Sequence, residues 1–136
     1  MIRIFIDTNI ILDLLANRKD FYLEAQQLFT LADHKEVELY TSSLSIVNTH
    51  YILSQKLKQN EINKTLRQFK LLVSVLNIDD KIIDLALNSD FKDFEDAVQY
   101  ECAIQNQMDI IITRNLKDFK LSKIPILSAK DYLSTF

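Results

Sequence analysis

Carboxylates that end a strand or open a helix can cap backbone or hold a cation, and three places in this chain leave both readings open. Asp7 closes the apolar run Ile2-Arg3-Ile4-Phe5-Ile6. By position alone it is equally a helix N-cap and a ligand. Asp93, Glu95 and Asp96 stand together just ahead of Ala97 and Val98. Asp93 and Asp96 are three apart and share a helix face. Acids in a first turn suit the helix dipole, so a structural cap accounts for them too. Asp96, however, is followed by Ala97, Val98, Tyr100, Ala103 and Ile104, which places it near the packed side of its helix. The third place is Asp118, shortly after Ile110-Ile111-Ile112-Thr113. Carboxylates that converge repel one another and raise their pKa values. A divalent cation removes that penalty, and Mg²⁺ or Mn²⁺, bound by a few carboxylates and several waters, is the expected occupant.

Asn48 is the next candidate. Leu44, Val47, Asn48, Tyr51 and Ile52 fall at helical spacing, so an amide lies on an apolar stripe and needs hydrogen-bond partners. A satisfied buried amide and a site residue are both open. On the same pattern Tyr51 reads as core and His50 as solvent-facing. Cys102 reads as a small hydrophobe. Arg18, Lys19, Arg114 and Lys117 are the basic residues nearest these loops and read as solvated surface charges rather than RNA contacts.

Strands and helices alternate around these residues. Ile2 to Ile6, Val37 to Tyr40, Val73 to Ile78, Ile110 to Ile112 and Ile126-Leu127 read as strands, the last at an edge. Helices are expected after Asp7, over Phe21 to Ala32, after Thr41-Ser42-Ser43 to about Leu57, over Glu61 to Leu72, after Asp79 or Asp80 through Leu87, over Phe94 to Met108, and after Ser128. That alternation implies βαβ units, a mainly parallel sheet and one domain over residues 1–136. In such sheets ligands sit outside the carboxyl ends of the strands, where Asp7 and Thr113 fall.

Composition narrows the chemistry. The 136 residues contain no glycine, which excludes the Gly-rich loops that cradle nucleotide phosphates. Two histidines and one cysteine cannot make the usual zinc sites, and a lone cysteine forms no internal disulfide. The 16 basic and 19 acidic residues give a net charge of −3, so contact with RNA must be local or aided by a cation. The first apolar run is too short for a signal peptide or a membrane span, and the cytoplasm is the expected compartment.

Four segments in order resemble the PIN-domain family over nearly the whole chain. They are Asp7-Thr8-Asn9-Ile10-Ile11-Leu12-Asp13, Ser42-Ser43-Leu44-Ser45-Ile46-Val47-Asn48, Asp93-Phe94-Glu95-Asp96-Ala97, and Ile110 to Phe119. The resemblance implies a three-layer α/β/α fold and a Mg²⁺- or Mn²⁺-dependent endoribonuclease. It further implies a toxin of the VapC type acting on an RNA substrate, with an antitoxin protein as partner and a homodimer as its assembly. Asp7, Asp96 and Asp93 are then the expected metal ligands, with Asp118 and Asn115 competing for a last catalytic position. Asn48 would orient a water or ligate weakly, and Thr8 and Thr113 would donate hydrogen bonds to the ligands. Two amides depart from the family pattern: Asn48 and Asn115 stand where acids are common, and an amide brings no charge to a cation. A non-catalytic scaffold of the same fold that binds RNA or a protein is the first rival. A hydrolase or phosphotransferase with Asp7 as nucleophile is the second.

Overall fold

The computed structural model describes all 136 residues, Met1–Phe136. In chain order the elements are β1 (Arg3–Ile6), α1 (Thr8–Leu15), α2 (Tyr22–Asp33), β2 (Glu38–Ser42), α3 (Ser43–Leu53) and α4 (Gln59–Phe69). There follow β3 (Val73–Leu76), α5 (Asp80–Leu87), α6 (Phe94–Gln105), β4 (Ile110–Ile112), a 3₁₀ turn (Leu116–Phe119), β5 (Ile126–Leu127) and α7 (Ala129–Leu133). The five strands form one sheet in the order β3-β2-β1-β4-β5, parallel at every pairing. Helices cover both faces, which gives the three layers that the sequence implied.

β4 is apolar at every position and β1 at every position after Arg3, because both faces of these strands are buried. Ile4, Ile6, Ile110 and Ile112 turn to one core with Ile10 and Ile11 of α1, Leu28 and Phe29 of α2 and Tyr132 of α7. Phe5 and Ile111 turn to the other, with Ile82 of α5 and Val98, Cys102 and Ala103 of α6. Leu12, Leu53, Ile62 and Leu66 make a smaller cluster under α3 and α4. Cys102 is fully buried in the core beside Phe5 and Ile111 as a hydrophobe, and burial pushes its thiol up to about 11. After β1 the chain builds outward through β2 to β3, then crosses back to place β4 on the opposite side of β1. That reversal makes β1 and β4 the switch point, and loops leaving it diverge to open a crevice.

Helix α3 departs from expectation. Its buried residues are Ser45, Thr49 and Leu53, whereas Val47 is 65% and Tyr51 68% exposed. Tyr51 is therefore not core, and Asn48 does not point to the interior on an apolar stripe. His50 is also tied down: its Nε2 lies 2.8 Å from Asn63 Oδ1 of α4. The helix turns its polar face inward, and the reason lies in the hydrogen bonds described below.

A chain without glycine still has to end its helices. Asn17, Lys35 and Gln107 have φ of 50°, 60° and 59°, and each stands one residue past the C-cap of α1, α2 or α6. At all three, a backbone bond closes from the next amide back to the helix: Arg18 to Asp13, Glu36 to Leu31 and Met108 to Ala103. Glycine usually fills this position. The left-handed region costs a residue with a Cβ about 1–2 kcal/mol, and asparagine tolerates it best. Lys35→Gly and Gln107→Gly are thus expected to stabilise the fold by up to about 1 kcal/mol each after the extra freedom of glycine in the unfolded chain is subtracted. Asn17→Gly should gain less. Urea denaturation reads this as a raised midpoint at unchanged slope.

Candidate metal centre

Asp7 leaves β1 and caps α1. Its Oδ1 accepts a 2.8 Å hydrogen bond from the Thr8 amide, and its Oδ2 accepts one of 2.8 Å from the Thr113 hydroxyl at the end of β4. The Asn9 carboxamide reaches both Asp7 Oδ2 and Thr113 Oγ1 at 3.5 Å, while Asn9 Oδ1 accepts the Arg114 amide at 3.4 Å. Asp7 is 8% exposed. Burial raises its pKa, the Thr113 and Thr8 bonds oppose that rise, and the charge of Asp118 adds to it. Thr113 does donate to Asp7, as expected. Thr8 does so through its backbone, whereas its hydroxyl goes to Ser45.

The second group of acids opens α6. Asp93 caps it, accepting the Asp96 amide at 2.9 Å, so the capping account of Asp93 holds whatever else it does. Asp96 is half-buried and its pKa is pushed up to about 7, first by burial and then by the charges of Asp93, Asp118, Asp7 and Glu95. Glu95 is raised as well, by burial and by Asp93 and Asp7, while the Asn48 carboxamide holds it down through a 2.8 Å bond. Five carboxylates thus share one field. Asp93, Asp96 and Asp118 line a cleft of about 440 Å³ together with Lys92, Lys117 and Lys120.

The crowding is electrostatic rather than a finished cage. No three of the His, Cys, Asp and Glu side chains are drawn together tightly enough to enclose an ion by themselves. The donor set nonetheless fits a hard cation that keeps much of its water, because hydrated Mg²⁺ needs only one or two carboxylates from the protein. Asp7 and Asp96 suit that role, being the most buried of the five and facing each other's charge.

The two competitors for the last position separate. Asp118 bears on Asp7 and Asp96. The Asn115 amide nitrogen donates to Thr113 Oγ1, and Asn115 lines a different cleft beside Asp13 and Phe21. In that cleft Arg114 is no solvated charge. Its Nε lies 3.0 Å from Oδ2 of the buried Asp13, and its guanidinium carbon sits 3.9 Å above the Phe21 ring. Arg18 adds a weaker approach to Asp13 at 3.9 Å. Sequence reading did not assign roles to Glu95, Asn9, Ser45 or Gln99. For Glu95 a signal existed, since it shares the first turn with Asp93 and Asp96; for Gln99, one of several polar residues on α6, there was none.

Comparison with known proteins places this geometry. A family model described as PIN domain matches residues 3–117. Ribonuclease VapC1 of Aquifex aeolicus is 28% identical over 138 residues, covering 96% of this chain and 92% of that protein. Among solved structures, a toxin–antitoxin complex from Klebsiella pneumoniae superposes with a TM-score of 0.68 at 22% identity, over 92% of this chain and 96% of that one. DNA-bound VapBC from Salmonella typhimurium gives 0.71 at 16% identity, over 95% and 99%. These superpositions establish a common fold.

The raised Asp96 has a thermodynamic consequence. Its folded-state pKa lies above the ordinary 3.8, so the folded state holds the proton more tightly than the unfolded chain. Stability from this group is fully present below the unfolded pKa and is lost as pH rises through about 7. Asp96→Asn cannot ionise and escapes the loss. In metal-free buffer the melting temperature of Asp96→Asn should match wild type near pH 4 and exceed it by a few degrees above pH 7. Added Mn²⁺ should close the gap by raising the wild type alone.

Proposed function

The chain belongs to the PIN-domain family, and on that premise we propose that it is a Mg²⁺- or Mn²⁺-dependent endoribonuclease, the toxin of a VapC-type toxin–antitoxin pair. The observation that carries the reading is the gathering of five carboxylates where β1 and β4 end and α6 begins, with Asp96 raised to about 7 by burial first and then by the charges of the other four. The ribonuclease from Aquifex aeolicus supports the activity, and the toxin–antitoxin complexes support a protein partner. A cytoplasmic protein acting as a homodimer completes the proposal; no helix is long and apolar enough to cross a membrane.

When bound, the divalent ion supplies charge compensation for the phosphodiester as it gains negative charge in hydrolysis. The protein's contribution is positional. Asp7 and Asp96 would hold the ion, with Asp7 kept in one orientation by the Thr113 hydroxyl and the Thr8 amide. Asp93 and Asp118 complete the anionic wall. Glu95 is aimed by Asn48, so the acid missing at position 48 is supplied from α6 instead. Asp96, with a pKa of about 7, can hold or release a proton near neutrality before the ion binds. Lys92, Lys117 and Lys120 in the same cleft offer local positive charge to the RNA backbone.

Purified protein should cut single-stranded RNA with Mn²⁺ and stop in chelator. Asp7→Asn and Asp96→Asn should each lower the rate more than about a hundredfold while folding normally, because each removes a charge that holds the ion. Asp93→Asn should lose less, since asparagine still caps α6. Wild-type rates in both of the first two variants would refute the assignment, and cleavage undiminished by chelator would remove the metal. Induced expression that arrests growth, relieved by a small adjacent open reading frame, is the expected sign of the toxin role.

A further inference from the structure

Gln99 is 1% exposed on α6, among Val98, Cys102 and Ala103, where a carboxamide needs partners. It finds them in Ser42, at the end of β2, and Ser45, in the first turn of α3. Ser42 donates to Gln99 Oε1 at 2.6 Å, and Gln99 Nε2 donates to Ser45 Oγ at 2.8 Å. Ser42 has one hydroxyl proton and Gln99 takes it, so the 3.3 Å approach between Ser42 Oγ and Ser45 Oγ is bridged by the proton of Ser45. The three side chains therefore close a ring. Ser45 Oγ accepts one bond more, from the Thr8 hydroxyl at 2.9 Å, and Ser42 Oγ accepts the Ser45 amide at 3.1 Å. Both serine hydroxyls are then filled: two bonds accepted and one donated.

The ring joins the elements that carry the acids. Thr8 follows Asp7 directly. Gln99 lies three residues after Asp96 and so shares its helix face. We propose that Gln99 and Ser45 are positioning residues for the metal centre: their ring, tied to Thr8, fixes the distance between the start of α1, with Asp7, and the start of α6, with Asp96. This inference rests on the metal-dependent reading above. An ion with metal–oxygen distances near 2.0–2.2 Å needs its carboxylates held in place, and hydrogen bonds behind the ligands supply that hold. Neither residue touches the ion; each acts through the backbone that presents a ligand.

Thr8 offers the cleanest test because it is only half-buried. Thr8→Val keeps its shape, cuts the tie to α1 and leaves no buried donor unpaired, since Ser45 loses only an accepted bond. Thr8→Ser restores the hydroxyl. Isothermal titration with Mn²⁺ and steady-state cleavage of RNA should be run on both, with melting temperature recorded. Thr8→Val is expected to weaken Mn²⁺ binding and lower kcat about tenfold each, the usual effect of losing a bond behind a metal ligand, with KM for RNA within about twofold. Thr8→Ser should return both values to within about twofold of wild type. Gln99→Met, which breaks the ring at constant volume, should weaken Mn²⁺ at least as much and also lower the melting temperature. Wild-type Mn²⁺ affinity in Thr8→Val, or no recovery in Thr8→Ser, overturns the positioning role while leaving the nuclease standing. A wild-type protein that neither binds Mn²⁺ nor cuts RNA overturns the nuclease reading itself, and the positioning role falls with it.

Discussion

A carboxylate at 8% exposure must be answered by something, and within the chain Asp7 is answered by hydrogen-bond donors rather than by a lysine or arginine. The Thr113 hydroxyl and the Thr8 amide lower its pKa, but burial outweighs them and Asp118 adds repulsion. The Thr113 bond also crosses the switch point of the sheet, binding the end of β1 to the end of β4. Those two strands are neighbours only because the chain reverses direction after β3. The topology thus places a buried acid, a hydroxyl that orients it and a diverging crevice at one point.

The protein solves the same problem differently elsewhere. Asp13, 1% exposed and further along the helix that Asp7 caps, is met by Arg114 and Arg18, and these are the two ion pairs in the structure. Burial still raises its pKa, with the arginines opposing. A buried acid can therefore be neutralised from within this sequence, and at Asp13 it is. At Asp7 and Asp96 no lysine or arginine pairs, and the charges nearest Asp96 are four more acids. Under the proposed function, the divalent ion supplies the charge that the sequence withholds from these acids. The Arg114 pair has a second effect. It pins the residue between Thr113 and Asn115, so the loop that carries the Asp7-binding hydroxyl is held from behind.

Much of this was legible in the sequence for a simple reason: single residues at strand ends and helix starts obey local rules. Asp7 after an apolar strand, the Ile110–Ile112 run, and the caps at Ser42, Asp79, Asp93 and Ser128 all follow from backbone geometry that a sequence displays. What failed was periodicity on α3. Reading apolar residues as inward assumes that the interior is apolar, and beneath α3 it is not. Ser42, Ser45 and Gln99 satisfy one another there, so Ser45 turns in and Val47 and Tyr51 turn out, and Thr49, one turn on from Ser45, is carried inward with its hydroxyl unpartnered. Asn48 rotates with them and meets Glu95 instead of the core. A closed ring among residues 42, 45 and 99 depends on two long-range approaches, and no spacing within either helix announces it. Asn115 and Asp118 could not be separated for a related reason: a 3₁₀ turn aims residues three apart, and only its docking decides which one meets the acids.

The net charge of −3 requires that contact with RNA be local or aided by a cation, and under the proposed function the candidate site offers both. Five acids in one field repel a phosphate backbone as strongly as they repel each other. Charge compensation must therefore come before substrate, and the same ion that relieves the acids opens the cleft to RNA. Lys92, Lys117 and Lys120 line that cleft beside the acids, so the attraction that remains after the ion is bound is local. A strongly basic surface would hold RNA whether or not the ion were present. Under the proposed function, an acidic chain with a few lysines beside its carboxylates binds substrate after the ion, because the ion cancels part of the charge that repels the phosphate and leaves the lysines to attract it.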